Sequence, residues 1–460
     1  MRKTAFRIGI SEITIVLLMI IWGINGNLSV SRTVAAIAVM AIVAGLILFF
    51  DKAGEKTVCA ITDTRIGRFT ILDLIFILAI IALSVIARIK LIYIETIDYI
   101  VFYGRWVEQI RSIGWHALGC NIGDYSPLYT SIMVVLSVAT ALPKMLIVKL
   151  IPMIFDYVMG NVCVAIYKHC NPQADMWKKI LVFALVVLNP LVMLNSAAWG
   201  QCDGIYTTFL LLTLLALMKT FKDEKYSSTV AFVFFAIAFA FKLQAIFFLP
   251  VMILCVFAGK RKTFSFSQFV YIPVVYLLTS IPMLAAGRSL KDTVMVYFAQ
   301  TGEYTHKLSM RYGNFYSIIG NGENNLTEEF FFMGVAITVA FLGVLYYAVL
   351  RQKAEIAGKR LILVAALTIF IVAFFMPSMH ERYAFAGEMM LIMYAMSDRK
   401  FVVPAAAALI CTLLSYAEYL SNGYFIISQA GFVVTAVVRL AVIAALMYRC
   451  FNKEAADTAK

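Results

Sequence analysis

Long apolar runs separated by short polar stretches form the pattern of this chain. The segments 33–50, 180–188 and 361–376 carry no charged residue. As helices, runs of about 17–25 apolar residues match the hydrocarbon thickness of a bilayer, where only helices and closed barrels satisfy every backbone hydrogen bond. The apolar/polar alternation of a membrane barrel is absent. The pattern therefore predicts an all-α protein, a polytopic bundle of transmembrane helices that forms a single integral membrane domain over 1–460.

The apolar segments define fifteen candidate helices: 1–24, 33–50, 69–92, 127–142, 145–166, 179–198, 204–218, 228–241, 244–258, 268–286, 330–350, 361–376, 385–397, 401–417 and 429–448. Fifteen crossings would place the two termini on opposite sides of the membrane. Both termini are basic, however, and basic segments favour the cytoplasmic side, so an even number of crossings is expected. Either 127–142 enters without crossing, or 179–198 breaks at Asn189-Pro190, because a proline removes a helical hydrogen bond. We prefer the break and expect about 14 spanning helices (roughly 13–16).

Composition and charge narrow the class further. Of 460 residues, 62% are hydrophobic and 14% are charged, whereas a soluble domain is about one quarter charged, so a water-soluble protein is excluded. The net charge of +13, taken alone, is typical of a nucleic-acid-binding protein. The positions of the basic residues along the chain indicate a different cause. Seven stretches expected in the cytoplasm hold 22 Lys and Arg, and the stretches expected outside hold 9. The excess indicates orientation, with both termini cytoplasmic and no nucleic-acid partner.

The first outer loop, 93–126, combines acidic residues with an amphipathic helix. Glu95 and Asp98 follow the point where the preceding apolar segment leaves the membrane. The next apolar residues are spaced 4, 4 and 3 apart, at Phe102, Trp106, Ile110 and Ile113. Such a helix is expected to lie along the membrane surface with Trp106 at headgroup depth. For Asp98, a solvated carboxylate at a helix end is an equally good explanation on this loop alone.

Further polar residues gather in compact groups on the other stretches expected outside. They are Asp124 and Tyr125 before Pro127, Trp199, Gln201 and Asp203 in 198–204, Lys242 and Gln244 between two apolar runs, Asn314 in the long outer loop 287–330, and His380, Glu381, Arg382 and Tyr383 in 376–383. Ordinary alternatives exist, because Asp203 can cap a helix and Lys242 can snorkel. A solvated turn does not require His, Glu, Arg and Tyr in succession, and arginine binds phosphate through two hydrogen bonds. The 376–383 segment is therefore a candidate site for a lipid phosphate.

Four motifs, taken in chain order, resemble a known family. They are Gly123-Asp124-Tyr125-Ser126-Pro127-Leu128-Tyr129, Trp199-Gly200-Gln201-Cys202-Asp203, Lys242-Leu243-Gln244 and Pro377-Ser378-Met379-His380-Glu381-Arg382-Tyr383. The series resembles that of the bacterial relatives of the mannosyltransferase that adds the second mannose of the GPI anchor, within the GT-C superfamily of polytopic glycosyltransferases. The resemblance implies a polyprenyl-phosphate-linked sugar donor and an active site on the outer face of a bacterial plasma membrane. It also implies an acidic base from the first outer loop, which is Asp98 in this chain.

The chain departs from that pattern in its first outer loop. Several related families have Asp-x-Asp there, whereas this chain has Glu95 and Asp98, three positions apart. The departure leaves a need for a divalent cation open, and no other cofactor is expected. The sequence predicts no metal site, because Ala384 stands where a zinc-helix motif beginning at His380 would have its second His.

Residues and resemblance together predict transfer of a mannose-like sugar to an acceptor hydroxyl by direct, inverting displacement. Asp98, with Glu95 nearby, is expected to act as the base, and His380 and Arg382 to stabilise the departing phosphate. The other grouped residues are expected to bind substrate, Trp199 by packing on the sugar ring. The acceptor can be a lipid, a glycan or a protein.

The main alternative is a transporter or a lipid or polysaccharide flippase. Transporters place ionisable groups inside the membrane, and this chain has Glu12, Asp73, Arg88, Asp156 and Arg439 in or near apolar segments. The concentration of the polar groups on one predicted side favours the enzyme.

Overall fold

The computed structural model of the protein describes residues 65–66, 69–223, 227–259, 263–303, 307–320, 327–352, 356–421 and 424–452. The predicted helices 1–24 and 33–50 lie outside these residues. The α-helices in the described part are α1 (Ile71–Leu91), α2 (Gly104–Ile113), α3 (Pro127–Ala139), α4 (Lys144–Cys170), α5 (Met176–Val187), α6 (Pro190–Met193), α7 (Asp203–Lys222), α8 (Thr229–Phe241), α9 (Leu249–Ala258), α10 (Tyr271–Ala285), α11 (Leu290–Val294), α12 (Val296–Glu303), α13 (Phe315–Ile319), α14 (Glu328–Arg351), α15 (Gly358–Phe375), α16 (Phe385–Ser397), α17 (Val402–Leu420) and α18 (Gln429–Phe451).

The described residues also contain short 3-10 and π-helices and four strands of two residues each. β1 (Arg65–Ile66) pairs antiparallel with β2 (Phe69–Thr70), and β3 (Ser309–Met310) pairs parallel with β4 (Met379–His380). The second pair joins segments that are distant in the sequence, and it matters for the cavity described below.

Eight helical segments in the described residues are long and apolar enough to cross a membrane. They are α1, α4, α7, α14, α15, α18, and the segments Phe266–Ala285 and Arg399–Leu420, which contain α10 and α17. A ninth is the bent pair Met176–Val187 and Pro190–Trp199, if that pair is one span. The chain is therefore an all-α integral membrane protein, as predicted, and the number of about 14 spans stays a prediction.

The helices divide into a buried centre and an outer layer. In α15, every residue from Leu361 to Phe375 is buried, and α7 is also mostly buried. A helix that is apolar all round belongs in such a centre. α4 and α8 pack against α7, and α16 packs against α15. α1 and α14 instead expose apolar side chains, Leu78 and Val339 among them, as helices that face lipid do.

The chain breaks at Asn189-Pro190, as the proline predicts. α5 ends at Val187, and a new helix starts at Pro190 and continues as a π-helix, Leu194–Trp199, bent by 42° from α5. The Asn189 side chain accepts a hydrogen bond from the backbone N–H of Leu191 at 2.9 Å and so caps the new helix. The left-handed Gly200 (φ 82°) then ends the π-helix. The break brings Gln201 to the wall of the cavity described below. The other segment that could enter the membrane without crossing it, 127–142, forms the 13-residue helix α3.

A buried ion pair ties α1 to α4 and to the break. The guanidinium of Arg88 donates to Asp156 Oδ2 at 2.7 and 3.1 Å and to the carbonyl of Val187 at 2.9 Å. Ser196 donates to the same carboxylate oxygen at 2.5 Å. Charges in the membrane interior persist when they are paired and hydrogen-bonded in this way. Arg88 and Asp156 Oδ2 are therefore paired within the bundle, whereas Asp156 Oδ1 is buried without a hydrogen-bond partner among the described residues.

Candidate functional site

A cavity of about 720 Å³ opens at one end of the bundle. It lies where the 93–126 loop, the 241–247 segment, the 287–330 loop and the 376–383 segment meet. The predicted site residues that line it are Asp98, Asp124, Tyr125, Gln201, Lys242, Gln244, His380, Glu381, Arg382 and Tyr383. The structure thus brings together polar groups that are spread over 286 positions of the sequence, from 98 to 383.

A buried lysine holds the turn that leads to Asp98. Lys149, near the start of α4, donates to the carbonyls of Ile92 and Ile94 at 2.9 and 2.7 Å. These carbonyls follow the end of α1, where helices leave carbonyls without partners. Asp98 stands directly before the π-helix Tyr99–Tyr103. The backbone that carries the carboxylate is therefore anchored to a spanning helix.

Three hydrogen bonds fix the Asp98 carboxylate. Its Oδ2 accepts from Trp199 Nε1 at 2.8 Å and from Gln201 Nε2 at 2.9 Å. Its Oδ1 accepts from the Tyr419 hydroxyl at 2.6 Å. A carboxylate oxygen has two lone pairs, so these bonds use both lone pairs of Oδ2 and one of Oδ1. The second lone pair of Oδ1 is the position at which Asp98 can take a further proton.

Trp199 does not have the role that the sequence predicts. Its side chain is 0% exposed, because one ring stacks on Tyr419 at 4.0 Å between centroids and the Arg382 guanidinium lies 5.2 Å from its centroid. No face remains for a sugar, so the predicted packing on a sugar ring is wrong. Trp199 instead donates to Asp98 and orients it.

Asp203 is also displaced from its predicted role. It is 0% exposed and lies behind the cavity wall at the start of α7. Its Oδ1 accepts from Lys242 Nζ at 2.7 Å, and its Oδ2 accepts from Asn195 at 2.9 Å and lies 3.7 Å from Arg382 Nε. Because a substrate hydroxyl cannot reach it, the predicted sugar contact is wrong. Asp203 neutralises the two cations of the wall.

Glu381, which is buried, and Arg382, which is partly exposed to the cavity, form a second ion pair. Arg382 Nη1 donates to Glu381 Oε1 at 2.8 Å. Burial opposes the charge of Glu381, but a hydrogen bond from His380 and the Arg382 charge outweigh it and lower the Glu381 pKa to about 2. Burial likewise opposes the charge of Arg382, and Glu381 and Asp203 raise its pKa well above the usual value. Both groups are ionised at neutral pH and largely cancel each other.

The 287–330 loop supplies two cations that are not among the predicted site residues. β3 pairs with β4, and Glu381 N donates to the Met310 carbonyl at 3.1 Å, so this part of the loop is tied to the 376–383 segment. Lys307 and Arg311 then line the cavity. The Arg311 side chain is 47% exposed, and its ion pair with Glu418 is 3.9 Å long. The signal was present in the sequence, because both are basic residues on a stretch expected outside.

Two predicted residues lie away from the cavity. Glu95 is exposed in the irregular turn after α1 and does not line the cavity, although Asp98 does. A spacing of three brings side chains together only in a helix, and the helical segment starts after Glu95. Asn314 is buried and accepts from the Tyr316 N–H at 3.1 Å, so it caps α13. Neither residue is placed to touch a ligand there.

Gly313 lets its own segment, 307–320, dock against α18. Arg439 Nη1 donates to the Gly313 carbonyl at 3.1 Å, and a Cβ on Gly313 would lie 2.1 Å from Thr435 Oγ1 and 2.7 Å from the Phe432 carbonyl. We therefore expect Gly313→Ala to lower the free energy of unfolding in detergent by about 1–3 kcal/mol. Gly343→Ala is the matched control, because a Cβ there meets nothing within 4 Å. It should leave stability unchanged or raise it by up to about 1 kcal/mol; equal losses in both variants would contradict the docking.

Among the described residues, no group of three or more His, Cys, Asp or Glu side chains is arranged to hold a metal ion. No model of a known protein family matches the chain, and no curated protein matches it. Fold and cavity together define the class, an α-helical integral membrane protein with a charged cavity at one end of its bundle.

Proposed function

We propose that the chain is a membrane glycosyltransferase. It transfers a mannose-like sugar from a polyprenyl-phosphate-linked donor to an acceptor hydroxyl at the outer face of a bacterial plasma membrane, with about 14 spans and both termini cytoplasmic. The observation that carries the proposal is the oriented carboxylate of Asp98 in the same cavity as a group of cations. Sugar transfer from a lipid phosphate requires a base for the acceptor and positive charge for the leaving group.

The proton step follows from the lone pairs of Asp98. The acceptor hydroxyl donates to Oδ1, the acceptor oxygen attacks the anomeric carbon, and the bond from that carbon to the phosphate oxygen breaks with its electron pair on the phosphate. Asp98 takes the proton. A double displacement needs a second carboxylate as nucleophile; of the two other carboxylates that line the cavity, Asp124 and Glu381, the latter is held by Arg382 at 2.8 Å. A single displacement with inversion is the simpler course.

The cations of the cavity differ in how far nearby carboxylates neutralise their charge. Arg382 and Lys242 are already compensated by Glu381 and Asp203. Arg311 keeps an exposed guanidinium with a long ion pair, and arginine is well suited to phosphate. We therefore assign the leaving phosphate to Arg311, with His380 and Lys307 nearby on the same wall. The sequence predicts that His380 and Arg382 stabilise the departing phosphate; in this proposal Arg311 takes the main part of that role.

The mouth of the cavity is apolar, which supports an amphiphilic donor. The exposed side chains that line it are Ile97, Phe102, Ile246 and Phe331. An isoprenoid chain next to a cationic wall combines burial of apolar surface with a bound phosphate.

The transporter alternative rests on the ionisable groups inside the bundle. Arg88 and Asp156 are paired with each other, Ser196 also donates to Asp156, and Asp73 belongs to the capping box of α1. Glu12 lies outside the described residues. Within them, Glu388, which accepts from Thr412, and Arg439, which donates to the same Thr412, are further candidates for such a role. These hydrogen bonds favour structural roles for most of the ionisable residues inside the bundle.

The proposal is tested by incubating the purified full chain with a panel of polyprenyl-phosphate sugars, with candidate lipid and glycan acceptors, and by following release of polyprenyl phosphate. We expect release with at least one donor, and we expect Arg311→Ala to slow it by roughly 10²-fold, the loss of one charge-stabilising donor. Lys291→Ala, a cation of the same loop that does not line the cavity, is the control. Ion or lipid movement through the protein with no release would favour the transporter.

A further inference from the structure

We propose that Arg439, a buried arginine of α18, is a positioning residue for Arg311, the cation of the cavity wall. Arg439 fixes the backbone on the C-terminal side of Arg311 and thereby presents the Arg311 guanidinium to a phosphate in the cavity. This inference rests on the proposed function, in which Arg311 binds the phosphate of the donor, and it adds the residue that sets the position of that cation. Arg439 itself does not line the cavity.

Arg311 has a backbone conformation that its own side chain disfavours. Its φ is 60°, and Ser378 (φ 58°) is the other non-glycine residue with a positive φ in the described part of the chain. Both residues line the cavity, and each stands next to a strand of the β3–β4 pair. The left-handed region crowds the Cβ of a residue other than glycine, and such a conformation persists only where its surroundings impose it. Its presence at two positions of the cavity wall therefore indicates a geometry that the site requires.

Contacts on both sides of Arg311 impose this conformation. Ser309 Oγ donates to the Tyr312 carbonyl at 2.6 Å and accepts from the Tyr312 N–H at 3.3 Å, which closes a tight turn around Arg311. Arg439 Nη1 donates to the Gly313 carbonyl at 3.1 Å. The Arg439 guanidinium also lies 4.0 Å from the centroid of the Tyr312 ring, a cation–π contact. Arg439 therefore holds both residues that follow Arg311.

Arg439 is in turn fixed from two other helices. Its Nη2 donates to the Thr412 hydroxyl of α17 at 3.1 Å, and that hydroxyl donates to the Glu388 carboxylate of α16. Arg439 and Glu388 are each 1% exposed. A buried guanidinium needs a carboxylate to compensate its charge, and Glu388, linked through Thr412, supplies it. The group that holds the Tyr312–Gly313 backbone is thus anchored to α16, α17 and α18 together.

The position of Arg311 matters because its charge is the one left for a ligand. Its side chain is 47% exposed, and its ion pair with Glu418 is 3.9 Å long. Hydrogen bonds from a guanidinium to a phosphate are directional, and a long side chain on a mobile backbone loses conformational entropy when it binds. A backbone that is already fixed reduces this cost. Arg439 should therefore strengthen phosphate binding without touching the phosphate.

Binding of farnesyl phosphate and of farnesol to the purified full chain, measured by calorimetry in detergent, tests this role without requiring activity. We expect Arg311→Ala to weaken binding of the phosphate at least about 10-fold, the loss of a charged hydrogen bond. Arg439→Gln should weaken it roughly 3- to 10-fold, the range for coupled residues, and should leave farnesol binding unchanged. In the Arg311→Ala background, Arg439→Gln should have no further effect, because its influence passes through Arg311.

A second variant and a control accompany Arg439→Gln. Thr412→Val keeps the arginine but removes its link to Glu388, so a smaller loss with the same dependence on Arg311 is expected even if Arg439→Gln does not fold. Arg360→Gln is the matched control, because Arg360 is a partly buried arginine that donates to Gln352 at 2.6 Å and does not line the cavity. It should bind both ligands as the wild type does.

The outcomes separate the positioning role from the proposed function. The role would be overturned by unchanged phosphate binding in the folded Arg439 and Thr412 variants, by equal losses with and without Arg311, or by an equal loss for farnesol. A wild-type protein that binds farnesyl phosphate no better than farnesol would overturn it as well. Phosphate binding that depends on Arg439 through Arg311, in a protein that releases no polyprenyl phosphate from any donor, would support the positioning role and overturn the proposed function.

Discussion

Asp98→Asn should lower the rate of sugar transfer by roughly 10²- to 10⁴-fold, the contribution of a general base. An asparagine keeps the size of the side chain, and its carbonyl oxygen can accept from Trp199 and Gln201 while its amide donates to Tyr419. The fold should therefore persist, and only the proton acceptor is lost. Release of polyprenyl phosphate, measured at saturating donor, gives the change in kcat.

Glu95→Gln is the matched control for this substitution. Glu95 is a carboxylate of the same loop, three positions from Asp98, but it is exposed and does not line the cavity. We expect wild-type rates. A wild-type rate in Asp98→Asn would remove the base from the mechanism, and equal losses in both variants would show that the loop as a whole is sensitive to substitution.

Asp203→Asn should lower the free energy of unfolding by about 3–5 kcal/mol, the usual effect of removing one partner of a buried ion pair. Asp203 is 0% exposed and balances Lys242, at 2.7 Å, and Arg382, at 3.7 Å. Asparagine preserves the shape but leaves both cations without their shared carboxylate. Chemical unfolding in detergent micelles measures the loss.

The control for Asp203 is an ion pair at the surface. Glu108 and Lys144 form a salt bridge with side chains that are 59% and 41% exposed, and exposed pairs contribute little to stability. Glu108→Gln should leave the unfolding free energy unchanged. If Asp203→Asn were as harmless, the buried charge balance described for the cavity wall would be wrong.

The membrane class and most of the helices could be predicted because they depend on local pattern. An apolar run of sufficient length forms a helix in lipid whatever its neighbours are, and Pro190 breaks its helix by its own chemistry. The polar groups of the cavity could also be predicted from local sequence. Charged residues such as Lys242 and Arg382 are unusual on stretches with few basic residues, so their position alone marks them.

The direction in which each side chain points could not be predicted. Trp199 and Asp203 belong to the same motif as Gln201, yet only Gln201 lines the cavity. The bend before Trp199 and the left-handed Gly200 decide this, together with the helices that pack around them. Tyr419 was missed because nothing in its local sequence differs from an ordinary tyrosine near a membrane boundary.

By itself, the sequence determined that this protein is a helical membrane protein with polar groups concentrated at the ends of certain helices, because hydrophobic length and charge asymmetry are properties of short segments. Only the tertiary structure decided which carboxylate is free to act. Asp98 and Tyr419 are 321 positions apart, and Arg311 reaches the cavity through strand pairing with 376–383. Contacts at that separation arise from packing of the whole bundle, which no local pattern encodes.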